Sequence, residues 1–178
     1  MQFAVDAIPA FALGEYDGAL RSAVVAMKRG ERDPLDALAE LLARSAPLDG
    51  VLVPLATTRG RAAQRGFDQS VELARRIARR RGLHCAEILR KRGSAQDGLA
   101  RQARLSAAGR FRVVPVEPLP AGVTLIDDVC TTGATIRDAV RTLAAAGVRV
   151  YGIAVVARTA PGRRASTLRG SSGLKPTP

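Results

Sequence analysis

The clearest pattern in the chain is an apolar run that ends in two carboxylates. Val123–Ile126 has the β-branched and γ-branched character of a buried strand. Asp127 and Asp128 follow directly, then a run of hydroxyl residues around one glycine, Thr131–Thr135. From Ile136 the apolar residues recur at helical spacing. The sequence therefore predicts a strand, an acidic pair, a hydroxyl-rich loop and a helix, in that order.

The same reading predicts three helices before this motif. Their inward-facing residues are Ala19, Leu20, Ala23, Val24 and Met27; then Leu35, Leu38, Leu41 and Leu42; then Val71, Ala74, Ile77 and Ala78. The second helix is expected to begin at Asp33–Pro34, and the third to be capped by Asp68 or Ser70. Gly30 and Gly82 are placed to end the first and third helices.

Short β-rich runs alternate with these helices. They lie at Gly50–Pro54, Cys85–Leu89, Phe111–Val114 and Val148–Val156. Residues 1–13 show no clear period and predict a β-turn or an irregular lead-in. Alternating strands and helices favour an α/β fold with a mostly parallel sheet flanked by helices. We expect one domain over residues 1–158, followed by a basic and disordered tail at 159–178.

The central motif has the chemistry of a phosphate site. The loop amides and the positive end of the helix dipole suit a phosphate monoester, and the threonines add hydroxyl donors. Because like charges repel, Asp127 and Asp128 would instead accept hydrogen bonds from sugar hydroxyls or help to hold a hydrated Mg²⁺. Dinucleotide and Walker loops need glycines and a lysine that are absent. An ordinary strand-to-helix turn with solvated aspartates is the alternative.

The composition narrows the class of protein. A net charge of +12 attracts polyanions, although the arginine runs 75–76 and 79–81 are equally consistent with a solvated helix face. No apolar run is long enough to span a membrane and no signal peptide is recognisable, so we expect a cytoplasmic protein without membrane association. Two separated cysteines and the single His84 argue against a zinc site.

Two further segments carry candidate chemistry. Thr57, Arg59 and Arg61 follow the strand at Gly50–Pro54, where ligands bind in open parallel sheets. Residues 90–110 are polar, contain glycine and are weakly patterned, and a loop of this length is usually functional or disordered.

Together these stretches resemble the ComF family, the competence-associated branch of type I phosphoribosyltransferase-like proteins. The matching residues are Lys28-Arg29-Gly30, Val53-Pro54-Leu55, Arg65-Gly66-Phe67-Asp68-Gln69, Gln96-Asp97-Gly98-Leu99, Arg101, Arg104, Phe111-Arg112-Val113 and Asp127-Asp128. The acidic motif is specific for the superfamily, and residues 65–69 indicate this branch.

The resemblance implies a site for phosphoribosyl pyrophosphate (PRPP) with Mg²⁺. Asp127 and Asp128 would bind the ribose hydroxyls and, indirectly, the metal. The phosphate would lie in a loop made of Thr131, Thr132, Gly133, Ala134 and Thr135. Thr57, Arg59 and Arg61 would bind pyrophosphate. Arg101 and Arg104 would belong to a loop that closes over the site and would assist the reaction together with the two aspartates.

The chain departs from the family pattern in ways that bear on function. It has no four-cysteine zinc module, Asp68 stands where the family usually has Asn, and an Asn expected near Ser106 is missing. Thr131 replaces the Asp with which purine-salvage relatives act on the base, which argues against purine salvage. The acceptor would be recognised by a variable hood, expected here in the N-terminal helices, and the sequence does not identify it.

Two functional hypotheses remain. One is an enzyme that transfers a phosphoribosyl group and releases pyrophosphate. The other is a non-catalytic protein that senses PRPP or a nucleotide, or that associates with single-stranded DNA during DNA uptake. Scarce aromatic residues make any nucleic-acid binding weak by expectation. Oligomeric state and pathway are open at this stage.

Overall fold

The computed structural model describes residues 1–55, 68–91 and 109–160. Its strands are β1 (Gln2–Val5), β2 (Ile8–Glu15), β3 (Val51–Pro54), β4 (Leu89–Lys91), β5 (Phe111–Val113), β6 (Gly122–Cys130) and β7 (Arg149–Arg158). Its helices are α1 (Gly18–Arg29), α2 (Arg32–Ser45), α3 (Gln69–Arg81) and α4 (Ala134–Ala145).

Five of these strands form the main sheet, in the order β1-β2-β7-β6-β3. Only β1 and β2 pair antiparallel, while β2–β7, β7–β6 and β6–β3 are parallel. This confirms the predicted α/β fold with a mostly parallel sheet. β6 lies inside the sheet between β3 and β7, so the strand that carries the acidic pair has neighbours on both sides.

Helices cover both faces of this sheet, as buried parallel strands require. Successive residues of a strand point to opposite faces. Leu125 accordingly packs in one core cluster with Ile136 and Leu143 of α4, whereas Ile126 packs in a second cluster with α1, α2 and α3. We call these the α4 face and the α1–α3 face.

A small antiparallel sheet of β4 and β5 lies beside α4. Leu89 and Phe111 are buried in the α4-face cluster. Where the chain re-enters the described region, the backbone N–H of Arg110 donates to the buried carboxylate of Asp138 on α4. A side chain at Gly109 would collide with that carboxylate, so the close approach requires glycine.

The predicted helices are present, with differences at their ends. Gly30 and Gly82 are left-handed and end α1 and α3 as expected. α2 begins at Arg32, before the predicted Asp33–Pro34 start. Leu41, expected to be buried, is 49% exposed, because three neighbouring leucines of α2 already fill the contact with the sheet.

For residues 1–13 the irregular alternative was wrong, and the predicted β-turn is present but joins two strands that were not predicted. These residues form the hairpin of β1 and β2, whose tight turn places Asp6 and Ala7 at positive φ. Such a turn normally uses Gly or Asn, which is the signal that sequence reasoning depends on. The strand predicted at Cys85–Leu89 was also displaced: Cys85 makes an isolated bridge to Leu52, and β4 begins at Leu89.

The arginines of α3 are matched by acids on the same face. Arg76 bonds Asp36 of α2 at 2.9 Å and Glu72 at 2.5 Å, and Arg80 bonds Glu40 of α2 at 2.8 Å. The sequence left open whether the arginine runs attract polyanions or form a solvated helix face; in the structure Arg76 and Arg80 are paired with acidic side chains. Within the described ranges, no helix is long and apolar enough to cross a membrane.

Candidate functional site

The acidic pair lies at the carboxyl edge of the parallel strands. β3 ends at Pro54, opposite Ile126, so β6 extends beyond its neighbour by the residues that carry the carboxylates. The strand was predicted to stop at Ile126, but it continues to Cys130 because β7 still pairs with Asp127 and Val129. The edge where ligands bind in such sheets is therefore occupied by two adjacent aspartates.

Asp127 is fixed through one of its two oxygens. Oδ1 accepts from the Ser70 hydroxyl at 3.1 Å and from the Asp128 backbone N–H at 2.9 Å. In the described part of the chain Oδ2 has no hydrogen-bond partner, and no buried polar side-chain atom is left unpaired. Oδ2 is therefore the open acceptor of the site.

The pKa of Asp127 is displaced far from its ordinary value. Burial, and next the charge of Asp128, raise this pKa from 3.8 to about 7. Hydrogen bonds from the Asp128 amide and Ser70, and the charge of Lys91, act in the opposite direction. A pKa near neutrality at the end of a buried strand is typical of a functional site.

Asp128 is engaged through both oxygens. Its Oδ1 accepts from the Val129 N–H at 2.6 Å, and its Oδ2 forms an ion pair with Lys28 Nζ at 2.7 Å. Lys28 lies in the last turn of α1, so the N-terminal helices do reach the site. No role was predicted for Lys28 from the sequence, although it belongs to the Lys28-Arg29-Gly30 stretch that resembles ComF.

Three consecutive residues at the start of α3 connect this helix with Lys28 and Asp127. Asp68 caps the helix by accepting from the N–H groups of Ser70 and Val71, as predicted. The buried Gln69 donates to the Lys28 carbonyl at 3.3 Å, and Ser70 donates to Asp127. Sequence reasoning treated these residues as a cap and missed their contacts, which depend on tertiary packing.

The loop after the acidic pair leads into α4. Gly133 has φ of +73° and forms the N-cap, followed by Ala134 and Thr135 in the first turn. The first N–H groups of a helix have no partner within the helix and carry partial positive charge. Thr131 and Thr132 are exposed beside them. The Ala134 N–H donates to the Thr132 hydroxyl at 3.4 Å. Backbone and hydroxyl donors therefore lie together, separated from the acidic pair by two residues, as a phosphate site would need.

Arg137 connects this loop to the β1–β2 hairpin. Its Nη1 donates to the Thr132 carbonyl and its Nε to Asp6 Oδ1, both at 2.9 Å. A side chain at Gly133 would also touch Val5 of β1. The hairpin that the sequence analysis missed thus supports the loop, and Arg137 could not be found without it.

The remaining predicted site residues lie outside the described residues. They are Thr57, Arg59, Arg61, Arg101 and Arg104. The flanks of their segments are described: one segment runs from Leu55 to Asp68, and the other from Lys91 to Gly109. Leu55 donates its backbone N–H to Ile126, Asp68 starts α3, and Lys91 acts on the pKa of Asp127, so three of the four flanks border the acidic pair.

The donor set limits how Mg²⁺ could be held. Among the described residues, no group of three or more His, Cys, Asp or Glu could hold a metal ion. Mg²⁺ usually keeps several waters and is bound by one or two carboxylates together with substrate phosphates. Asp127 Oδ2 and Asp128 Oδ2, the oxygen that is paired with Lys28, fit that mode. The metal would be bound mainly by the ligand and would contact these carboxylates through water.

No family model matches the sequence, and no curated protein matches it. Similar solved structures include adenine phosphoribosyltransferase from Leishmania donovani, at 14% identity and a TM-score of 0.48 over 89% of this chain and 75% of that one. Orotate phosphoribosyltransferase from Aeropyrum pernix gives 20% identity and 0.43 over 72% of this chain, which spans 60% of that protein.

Adenine phosphoribosyltransferase from Trypanosoma brucei is also similar, at 15% identity and a TM-score of 0.43, covering 96% of this chain and 95% of that one. These three similar structures are all phosphoribosyltransferases. At these identities and scores the likeness carries no residue roles.

Proposed function

We propose that this chain is a phosphoribosyltransferase-like protein of the ComF type, which binds PRPP with Mg²⁺. The binding site would be the carboxyl edge of the sheet at Asp127 and Asp128, which we call the acidic edge. The observation that carries the proposal is the position of Asp127 and Asp128. They lie at the carboxyl end of an interior parallel strand, immediately before a hydroxyl-rich loop at a helix N-terminus. Adjacent acceptors suit a diol, and the loop suits its phosphate.

Each described residue then has a distinct task. Asp127 Oδ2 would accept a ribose hydroxyl, and Asp128 would bind the second through the free lone pair of its shared oxygen. Gly133, Ala134 and Thr135 would offer backbone donors to the 5-phosphate, with Thr131 and Thr132 adding hydroxyls. In the segments outside the described residues, Thr57, Arg59 and Arg61 would bind pyrophosphate, and Arg101 and Arg104 would close over it.

The proposed reaction transfers the phosphoribosyl group to an acceptor. The bond between the anomeric carbon and pyrophosphate breaks with its electron pair leaving on pyrophosphate, and a nucleophilic atom of the acceptor bonds to that carbon. The carboxylates would hold the ribose while positive charge develops on the ring, and arginines would stabilise the leaving group. Mg²⁺, when bound, would neutralise pyrophosphate charge. No covalent bond to the protein is required.

Binding is tested by calorimetry with PRPP and Mg²⁺. Asp128→Asn and Thr132→Ala should each weaken binding by about 1.5–3 kcal/mol, the cost of losing a hydrogen bond to a charged group. Asp17→Asn and Thr142→Ala are matched controls: Asp17 makes no side-chain cap bond at the start of α1, and Thr142 bonds only within α4. Unchanged affinity in both site variants would remove the assigned roles.

The alternative is a non-catalytic protein that binds PRPP at the same site without transferring the phosphoribosyl group. Its support is the charge distribution: the three segments outside the described residues contain ten Lys and Arg but one Asp. Pyrophosphate release measured against a panel of bases, nucleotides and amines separates the two hypotheses. Release that depends on one acceptor supports the transferase, whereas PRPP binding without release for any acceptor supports a sensor.

A further inference from the structure

Lys28 is held at the acidic edge by two independent contacts. The buried Gln69 donates to its backbone carbonyl at 3.3 Å, and its own ammonium lies 2.7 Å from Asp128 Oδ2. The lysine side chain is only 34% exposed. Ordering a long, flexible side chain costs conformational entropy, so a lysine fixed at a ligand-binding edge is not an ordinary surface charge.

The ammonium retains donors after it has paired with Asp128. Lysine has three N–H groups, and in the described part of the chain Asp128 is its only acceptor. Beside it, Asp127 Oδ2 is the open acceptor. The corner therefore presents a diol acceptor next to a cation whose remaining N–H groups are available to an anionic oxygen.

Lys28 and the phosphate loop approach the edge from different faces of the sheet. The loop leads into α4, whose Ile136 and Leu143 pack on the α4 face. Lys28 comes from α1, whose Val24 and Met27 pack on the α1–α3 face. An anion at Lys28 would thus be a different group from the phosphate in the loop, with the carboxylates between the two.

We propose that Lys28 is a ligand-contacting residue that binds a second anionic group, so that the site selects sugars carrying anions on both sides of the diol over sugar monophosphates. The proposal rests on the proposed function, because it takes the loop as the cradle of the first phosphate. Lys28, on α1, would be an anion contact in addition to the residues that were predicted from the sequence to bind pyrophosphate.

The test compares two ligands that share the sugar phosphate and differ in the second anion. Calorimetry in Mg²⁺ is done with PRPP and with ribose 5-phosphate, on the wild type and on Lys28→Met. Methionine keeps much of the length and removes the charge. We expect PRPP binding to weaken about 10- to 100-fold, the loss of one charged hydrogen bond, while ribose 5-phosphate changes less than about threefold.

Arg29→Met is the matched control, since Arg29 is exposed in the same turn and should change neither ligand. Lys28→Arg keeps the charge and should retain most of the PRPP affinity. Equal weakening of both ligands would mean that Lys28 only neutralises Asp128, and no weakening of either would mean that it does not contact the ligand. Both outcomes overturn the proposal. A wild type that binds neither ligand would instead refute the proposed function itself.

Discussion

The surface where α2 meets α3, which we call the helical face, and the acidic edge differ in how their charged side chains are paired. On the helical face Arg76 lies between Asp36 and Glu72, so opposite charges meet. At the edge two carboxylates are adjacent, and Lys28 forms an ion pair with only one of them. The helical arrangement pairs its charges within the chain, whereas Asp127 Oδ2 has no partner among the described residues, as the proposed ligand site would need.

The pKa values express this difference. Although burial raises the pKa of Asp36, the hydrogen bond and charge of Arg76 bring it below its ordinary value. The pKa of Asp127 is raised to about 7 by burial and then by Asp128. The opposite directions separate an aspartate that is paired with cations from one that is buried beside a second carboxylate.

The largest effect should come from removing the open acceptor. Asp127→Asn keeps Oδ1, and with it the bonds from Ser70 and the Asp128 amide, but replaces Oδ2 with a donor. We expect PRPP binding to fall by at least about 100-fold, because a hydroxyl would lose a charged partner and meet a donor. Calorimetry measures it, and a fall below tenfold would contradict an acceptor role for Oδ2.

The reverse pattern is expected on the helical face. Arg76→Met should lower the free energy of unfolding by about 1–2 kcal/mol, since Arg76 is mostly buried and two acids lose their partner. PRPP affinity should not change. Arg44→Met is the control, because its ion pair is largely exposed and should contribute less than about 0.5 kcal/mol. Urea unfolding measures both, and an equal loss in the two variants would contradict the matched-charge interpretation.

The acidic edge should also cost stability in a pH-dependent way. Because folding raises the pKa of Asp127, the folded state holds a proton between about pH 4 and 7 that the unfolded state has lost. Stability therefore falls as pH rises through this window. Asp127→Asn should match the wild type near pH 4 and exceed it above pH 7 by on the order of 1 kcal/mol. Thermal unfolding at the two pH values checks this, and an equal difference at both would refute the raised pKa.

The sequence was most informative where local rules decide the structure. The alternation of strands and helices predicted the parallel sheet, and Asp68, Gly30 and Gly82 marked helix ends through their own backbone and side-chain chemistry. The sequence also placed Asp127 and Asp128 after a buried strand. It could not place Lys28, which meets Asp128 across 100 positions of chain, since no local pattern encodes a tertiary ion pair.

The β1–β2 hairpin and its contact with the loop through Arg137 were not predicted, for the same reason. Asp6 and Ala7 adopt positive φ without the glycine that usually signals such a turn. Because residues 1–13 were predicted as a β-turn or an irregular lead-in and not as two strands, the contact of Asp6 with Arg137 could not be predicted. Proposals for Thr57, Arg59, Arg61, Arg101 and Arg104 remain predictions, as these residues lie outside the described ranges.

The smallest effect is expected for nucleic acid on the helical face. The charge of Arg80 is paired with Glu40, and the guanidinium of Arg81 is held by the Ala43 carbonyl, so these two side chains are oriented toward α2. Replacing Arg79, Arg80 and Arg81 with Gln should change affinity for an oligothymidine by less than about twofold at physiological salt, because these arginines would neutralise few phosphates. Fluorescence anisotropy across a salt series measures the affinity and its salt dependence.

The basic residues after Ala160 are expected to contribute more to DNA affinity than the arginines of α3. They are Arg163, Arg164, Arg169 and Lys175. A chain ending at Ala160 should bind the oligomer more weakly, and the slope of log affinity against log salt should shrink by about 0.7 for each phosphate that the tail had neutralised. PRPP affinity should be unchanged, because Asp127 and the loop are intact. DNA binding that survives this truncation, falls with the three α3 substitutions and is competed away by PRPP would reverse the comparison, since the matched helical face would then be the working surface.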